Sequence, residues 1–271
     1  MYCLKISIAP TSAMTFRILP SSILNIATYP FVPPTTLSGY LRRLVMLSMK
    51  LEIPETDINK NNPPVYALPR KYITLGAYPV RDNFTAIHRT YRKGMREFNH
   101  DVFSRLYIEK EKADFQLHTW EYLITSELIG YVVTKSAEDL KPLQEIKGFG
   151  CKLGKEGFAV IQDISQPIKL TQITKEAIPS TIVPMEALLA TNQFVNGCDI
   201  YNLYRYNWLT NQDNLNDNSP TAVNGFIPFV ASYFQNQLTP ELDYLTDSNN
   251  QINIPLSLIN LLQLKGEITN V

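Results

Sequence analysis

The sequence has few cysteines and no long apolar run. Cys3, Cys151 and Cys198 are far apart and form no CxxC pair, which gives no indication of a disulfide framework or a cysteine metal site. Unpaired, reduced thiols are typical of the cytosol. No segment reaches the about 18 consecutive apolar residues that a membrane-spanning helix needs. We therefore expect a cytoplasmic protein without a membrane partner.

Histidine is also scarce, and this limits the catalytic chemistry open to the chain. The histidines are His88, His100 and His118, and none lies in a metal-binding spacing such as HxxxH or HExxH. We therefore expect no metal ion and no other cofactor. A metal-independent RNA cleavage that uses His88 or His118 as general acid or base stays open. The simpler interpretation is that these are ordinary surface histidines.

The chain has no excess of charge of either sign. Its 25 Lys and Arg residues match its 25 Asp and Glu residues, so the total charge gives no general attraction to nucleic acid. Any site for a polyanion must therefore be local. With 271 residues, the chain is long enough for one large domain or two small ones.

The first third of the sequence has the pattern of a strand, a helix and a second strand. Apolar and polar residues alternate from residue 2 to residue 9, the period of a half-buried strand. Thr35 predicts a helix cap, and an apolar stripe that starts at Leu37 predicts an amphipathic helix of about four turns. Residues 65–75 then favour a strand pair or a strand with a bend. This order favours a ferredoxin-like start.

The middle of the sequence predicts an excursion followed by more strands. Residues 81–112 are both charged and aromatic and predict a long excursion, whereas residues 115–134 predict a hairpin. Four glycines then precede a strand from Phe158 to Ile164. A first domain is therefore expected to end near residue 165. Beyond it, Pro228 predicts that the strand in which it lies is an edge strand.

The sharpest local signal is a basic and aromatic segment between Arg81 and Arg105. Basic groups neutralise phosphates, and aromatic faces stack on unpaired bases. Only three acidic residues, Asp82, Glu97 and Asp101, oppose its bases. The alternative is a solvated face or hairpin whose aromatic residues belong to the core. The bases are Arg81, Arg89, Arg92, Lys93, Arg96 and Arg105, and the aromatic residues include Phe84, Tyr91, Phe98 and Phe103.

A second signal is a glycine-rich loop that contains two lysines. Glycine lets a backbone approach a phosphate closely, and lysine supplies a positive charge there. The loop is not a nucleotide-binding P-loop, because Phe149 and Glu156 stand where that motif needs Gly and Ser or Thr. A tight turn without a ligand is the alternative. The loop residues are Gly148, Gly150, Lys152, Gly154, Lys155 and Gly157.

A third signal is the start of the expected helix. Its exposed amides and the hydroxyls of Thr35 and Thr36 are suited to a phosphate, and Gly39 permits close packing. The simpler interpretation makes Thr35 a helix cap, and places Arg42 and Arg43 on a solvated polar face.

Three phrases of the sequence are distinctive: FVPPTTLSGYLRRLV (31–45), QLHTWEYLITSELIGYVV (116–133) and GFGCKLGKEGFAVI (148–161). Together they resemble the RAMP superfamily of CRISPR-associated proteins. Within it, they are similar to the family-five subunit that caps the 5′ end of the guide RNA in type I (Cascade) surveillance complexes. The similarity covers about residues 1–165.

The resemblance implies an α+β fold with two parts. Residues 1–165 would form a ferredoxin-like (RRM/RAMP) RNA-recognition domain with an inserted basic thumb at about 81–114. Residues 166–271 would form a smaller, β-rich C-terminal domain. The implied function is antiviral: a non-catalytic subunit that binds the 5′ handle of the crRNA. It would contact the Cascade backbone subunit and the large subunit, and reach target DNA only indirectly through the complex.

The same resemblance implies a set of RNA-binding residues. One subtype of the family cleaves precursor RNA with a Tyr, Lys and His cluster, which has no matching positions here, so we expect no catalytic residues. An endoribonuclease and a RAMP subunit of a type III complex remain the alternatives. Combined with the loop and segment signals, the expected RNA contacts are Ser38, Arg42, Arg81, Arg89, Arg92, Lys93, Arg96, Gly148, Gly150, Lys152, Gly154 and Lys155.

Overall fold

The computed structural model describes residues 1–18, 25–51, 71–81, 83–95, 115–193, 199–206, 222–231 and 238–262. A 3₁₀ helix at Ala137–Leu140 leads directly into an α-helix at Lys141–Gln144. The elements in chain order are β1 (Tyr2–Pro10), β2 (Asn25–Ile26), α1 (Pro34–Ser48), β3 (Ile73–Pro79), β4 (Thr85–Met95), β5 (Phe115–Thr125), β6 (Leu128–Thr134), α2 (Lys141–Gln144), β7 (Gly150–Lys152), β8 (Phe158–Ile164), β9 (Ile168–Lys169), β10 (Thr171–Glu176), β11 (Val183–Pro184), α3 (Met185–Ala190), β12 (Asp199–Tyr206), β13 (Ala222–Ala231), β14 (Glu241–Thr246), β15 (Asn253–Pro255) and α4 (Leu256–Leu262).

The main sheet has the strand order of a ferredoxin-like domain. Its order is β3–β6–β1–β8–β7, and neighbouring strands are antiparallel. Taken along the chain, β1, α1, β3, β6, α2 and β8 form a βαββαβ unit in which β1 and β6 are the central strands. The α+β, ferredoxin-like fold expected from the sequence is confirmed by this order.

The core of this unit lies between the main sheet and α1. Leu4, Ile6 and Ile8 alternate along β1 and are fully buried, as the period of two requires for one face of a strand. From α1, Leu37 and Leu41 are also fully buried, one helical turn apart. The predicted strand and helix therefore meet along their apolar faces.

The helix begins earlier than its sequence pattern predicts. Pro33 occupies the N-cap and Pro34 the first turn, and no side chain within the described residues caps this end. The prediction that Thr35 caps the helix is wrong, because Thr35 already lies inside the first turn. A proline at the first helical position suits this site, since its missing N–H has no partner there in any helix.

A long hairpin arm is inserted between the second and third strands of the ferredoxin-like unit. Strand β4 pairs with β5 from Thr85 opposite Thr125 to Met95 opposite Phe115. The prediction of a hairpin within residues 115–134 is wrong: β5 pairs with β4, while β6 enters the main sheet. The arm occupies the place of the expected thumb, whose residues 96–114 lie outside the described part of the chain.

The C-terminal region adds two small antiparallel sheets, β10–β14–β15 and β11–β13–β12. Ile182, Phe229 and Ile254 join the buried cluster that contains the residues of β1 and α1. The domain boundary near residue 165 stays a prediction. Among the described helices, none combines the length and the apolar character needed to cross a membrane.

The prediction that Pro228 marks an edge strand is wrong. Strand β13 lies between β11 and β12, and Pro228 pairs with Asn202 of β12. On the other side, β11 is only two residues long and pairs with Val230 and Phe229. Pro228 lies just beyond that short pairing, so on the β11 side it has no partner among the described strands, as at an edge position that tolerates proline.

Leu41→Ala tests whether the contact between α1 and the sheet forms the core. Because Leu41 is fully buried, its truncation should lower the free energy of unfolding by about 2–5 kcal/mol, measured by urea denaturation. Leu47→Ala, on the same helix but 37% exposed, is the matched control and should change it by much less. Equal losses from the two substitutions would contradict this packing.

Candidate nucleic-acid interface

The first turn of α1 and the glycine-rich turn between β7 and β8 enclose a groove of about 410 Å³. Four basic side chains line it, and no carboxylate of the described residues does. We call it the basic groove, and its lining residues are Phe16, Arg17, Pro33, Thr35, Thr36, Gly39, Tyr40, Arg43, Lys152, Gly154 and Lys155. It joins the second and third signals of the sequence, the glycine-rich loop and the helix start.

The helix contributes backbone as well as side chains to the basic groove. Pro34 has no N–H to offer, and the first intrahelical bond is donated by Leu37 to the carbonyl of Pro33. The amides of Thr35 and Thr36 thus belong to the helix end at which anions are stabilised. Gly39 leaves open space beside the helix, since a Cβ there would have no neighbour within 4 Å.

The glycine-rich turn is shaped by two close contacts of its backbone. Gly154 has φ of +81°, and a Cβ on it would lie 2.8 Å from the carbonyl oxygen of Thr15 and from the ring of Phe16. The N–H of Lys155 donates to that same Thr15 oxygen at 2.9 Å, and the N–H of Thr15 donates to Glu156 at 2.8 Å. Glycine is therefore required at 154 for the turn to lie against this segment.

The basic groove continues onto an aromatic surface of the hairpin arm. The Nζ atom of Lys155 lies 4.6 Å from the centre of the Trp120 ring, a cation–π contact. Trp120 and Tyr122 are stacked with ring centroids 6.5 Å apart and planes inclined by 22°. The Trp120 indole N–H donates to the Thr15 hydroxyl at 3.0 Å, which fixes the ring beside the groove.

The crowding of cations changes the chemistry of Lys155. Burial lowers its pKa, the nearby Arg17 and Lys152 lower it further, and Glu156 acts in the opposite direction. The carboxylate of Glu156 also accepts a hydrogen bond from the Tyr122 hydroxyl at 3.1 Å. An anion bound in the groove would relieve the repulsion among the cations, so the groove is electrostatically suited to phosphate.

Arg89, one of the RNA contacts predicted on the arm, forms an ion pair with Glu121. Its Nη2 atom lies 2.6 Å from the Glu121 carboxylate, and its Nε atom donates to the same oxygen at 3.0 Å. The hydrogen bond and charge of Glu121 raise the pKa of Arg89. Glu121 also accepts the backbone N–H of Thr28. Arg89 therefore joins the two strands of the arm, and its partner Glu121 bonds the arm to Thr28 of the body.

The other expected contacts divide between several places. Lys152, Gly154 and Lys155 line the basic groove, whereas Ser38 and Arg42 are only 6% and 4% exposed and do not line it. The remaining residues lie elsewhere. Arg81 lies beside a different groove, Gly148 lies in the turn after α2, and Gly150 lies in β7. Arg92 and Lys93 belong to β4, but the structure does not describe their side chains, and Arg96 lies outside the described residues.

Gly148 and Gly150 shape the backbone where β7 pairs with β8. Gly148 has φ of +83°, and its N–H donates to the carbonyl of Ile161. A Cβ on Gly150 would lie 2.7 Å from the Ala159 oxygen, so glycine is needed for the close approach of β7 to β8. Their contact with RNA stays a prediction.

Sequence reasoning missed several groove residues. Arg43, and not Arg42, faces the groove, because it follows Thr35, Thr36 and Gly39 at helical spacing. That phase was readable from the sequence. Arg17 and Trp120 had no local signal, since they reach the site only through pairing between distant strands.

Comparisons with known proteins give no sequence relative, but many solved structures show a distant likeness. No family model matches the chain, and no curated protein matches it. A chain of the type III-B Cmr-beta complex bound to cognate target RNA is 14% identical, with a TM-score of 0.38 over 62% of this chain and 61% of that one. The present chain thus spans about three fifths of that protein's length.

Two further solved structures are similar at the same level. A CRISPR protein from Archaeoglobus fulgidus is 13% identical, with a TM-score of 0.37 over 94% of this chain and 99% of that one. A chain of Cmr-beta bound to cognate target RNA and AMPPnP is 12% identical, with a TM-score of 0.45 over 83% of each chain. Because every TM-score is below 0.5, the fold assignment rests on the strand order described above.

Gly154→Ala tests the geometry of the turn. The positive φ and the contacts with Thr15 and Phe16 should make this change lower the free energy of unfolding by about 1–3 kcal/mol, as measured by urea denaturation. Gly39→Ala is the matched control in the same groove, and it should raise stability by up to about 1 kcal/mol because it lies in a helix with open space. No loss for Gly154→Ala would show that the turn is not fixed in this way.

The lowered pKa of Lys155 predicts a pH-dependent affinity for a polyanion such as single-stranded RNA. Phosphate favours the charged amine, so affinity should fall as pH rises through this pKa, which lies below the usual value of about 10.4. Lys155→Arg should flatten the decline at pH values below the usual lysine pKa of about 10.4, because arginine stays charged. Lys152→Arg is the control and should leave the decline in place. A wild-type affinity that is constant over this range would contradict the prediction.

Proposed function

We propose that this chain is an RNA-binding subunit of a CRISPR effector ribonucleoprotein, and that the basic groove holds the RNA backbone. The observation that carries the proposal is the convergence of four basic side chains and a helix start on a groove without a described carboxylate. Positive charges supply affinity for phosphates, and the stacked Trp120 and Tyr122 lie beside them. Single-stranded nucleic acid is recognised by this combination of features.

The RNA that we propose for this site is the 5′ handle of a guide RNA in a type I complex. The resemblance of residues 31–45 and 148–161 to the capping subunit supports this choice, because these two phrases form the walls of the basic groove. A RAMP subunit of a type III complex would use the same fold in a different assembly. The RNA and the proteins that co-purify with the chain distinguish the two.

The proposed protein partners are the backbone subunit and the large subunit of the complex. The hairpin arm supports such contacts, because Phe84 and Tyr91 are 71% and 65% exposed. Exposed large aromatic side chains are enriched at protein interfaces. Contact of this chain with target DNA would then be indirect, through the complex.

We propose a non-catalytic role. His88 lies opposite Tyr122, and His118 lies opposite Arg92, so the two histidines are offset by four residues along the arm. At about 3.3 Å per residue this separates their positions by about 13 Å, whereas a general acid and base must both reach one phosphate. This geometry favours binding over cleavage by a His88 and His118 pair.

The double substitution Arg43→Glu with Lys152→Glu tests the RNA site. Both side chains are exposed, so the fold should survive. The affinity for handle RNA should fall by at least about tenfold, and the slope of log affinity against log salt should decrease by about two, as measured by fluorescence anisotropy. Lys135→Glu with Lys141→Glu changes the charge equally outside the groove and should have a much smaller effect.

Incubation of the wild-type chain with labelled repeat RNA in chelator tests the alternative that the chain is a nuclease. We expect intact repeat RNA, together with short guide RNA that co-purifies with the wild-type chain and its co-expressed neighbours. A discrete cleavage product that disappears in His88→Ala or His118→Ala would make the chain a nuclease. Equal RNA binding by the groove variant and the control would remove the basis of the proposed site.

A further inference from the structure

A second groove lies on the face of the main sheet that α1 does not cover. It has a volume of about 760 Å³ and we call it the sheet-face groove. Ile6 and Gly130 are paired, and a Cβ on Gly130 would touch both Ile8 and Leu37 of α1, which places this pair on the helix side. Lys5 and Tyr131 form the next pair and lie on the opposite side, because side chains alternate across a strand.

Two parts of the chain form the walls of the sheet-face groove. The main sheet contributes Lys5, Ile129 and Tyr131, with Arg81 at the end of β3. The C-terminal region contributes β10, the segment that follows it, and the turn before β15. Arg81, which belongs to the basic segment of the sequence, therefore lines this groove and not the basic groove.

The charge of the sheet-face groove is predominantly positive. Lys5, Arg81 and Lys175 line it, against the carboxylate of Glu176. Lys175 donates hydrogen bonds to the Thr246 hydroxyl at 3.2 Å and to the Asn250 side-chain oxygen at 2.8 Å, both of which are uncharged. Within the described part of the chain, none of these three cations has an ion-pair partner.

The other lining residues are apolar side chains and amides. Ile129 and Ile173 line the groove, and Ile173 is 45% exposed. Asn250 and Gln251 place amide groups at the same opening, and amides can bond to the edges of bases. Tyr131 is only 9% exposed, so stacking of a base on this ring is not the means of binding.

We propose that the sheet-face groove binds a second segment of single-stranded nucleic acid, at a site separate from the basic groove. Three cations match phosphodiester groups, the isoleucines match the apolar faces of sugar and base, and the amides match base edges. An acidic peptide is the competing occupant. Nucleic acid fits better because the apolar and amide groups of the lining match a sugar and a base as well as the phosphate that the cations match.

The test uses the full chain in which Arg43→Glu and Lys152→Glu disable the basic groove. A labelled single-stranded oligonucleotide should retain residual affinity for this protein in fluorescence anisotropy. Adding Lys5→Glu and Arg81→Glu should reduce that affinity by at least about tenfold and lower the salt slope by about two. Adding Lys135→Glu and Lys141→Glu instead is the matched control and should leave most of it.

The outcomes separate this proposal from the proposed function of the basic groove. Loss of residual binding only in the Lys5 and Arg81 variant supports the second site, even if the first site proves to bind another RNA. Equal loss in the control, no residual binding at all, or unchanged binding in the Lys5 and Arg81 variant overturns it. Displacement of the oligonucleotide by an equally charged acidic peptide at lower concentration also overturns it. If the Glu variant unfolds in circular dichroism, Lys5→Gln with Arg81→Gln gives the same test with a smaller expected loss.

Discussion

The basic groove exists because the segment from Met14 to Phe16 is held between the glycine-rich turn and the hairpin arm. Thr15 exchanges backbone hydrogen bonds with Lys155 and Glu156 on one side, and Met14 exchanges them with Leu123 of β5 on the other. The Thr15 hydroxyl also donates to the carbonyl of Glu121 and accepts the indole N–H of Trp120. One short segment thus fixes the cations of the turn beside the aromatic rings of the arm.

Arg89 and the cations of the basic groove have different surroundings. Arg89 forms an ion pair with Glu121 across the two strands of the arm, while four basic side chains and no carboxylate of the described residues line the basic groove. A protein of zero net charge can bind a polyanion in this way, because the potential at a site depends on the nearby charges and not on their sum. Burial lowers the pKa of Lys155, and the neighbouring cations Arg17 and Lys152 lower it further.

The sequence was informative where the structure depends on local patterns. The alternation of β1, the apolar stripe of α1 and the glycines before β8 each reflect a local periodicity or backbone requirement, and each leads to the observed element. The strand and helix patterns favoured a ferredoxin-like start, and the resemblance implied the complete domain. The pairing of strands was harder to predict from the sequence. The apolar residues of β6 suit the buried sheet, but no residue near β5 indicates that its partner is the charged strand β4. Pro228 was misplaced for the same reason, because the length of β11 is set elsewhere in the chain.

Hydrogen–deuterium exchange tests most directly whether the start of α1 and the glycine-rich turn together contact RNA. Exchange would be compared for the free chain and for the chain bound to guide handle RNA. We predict slower exchange on binding in the peptides that contain Thr35 and Thr36, and in those that contain residues 152–157. Protection confined to other peptides, with these two unchanged, would contradict it.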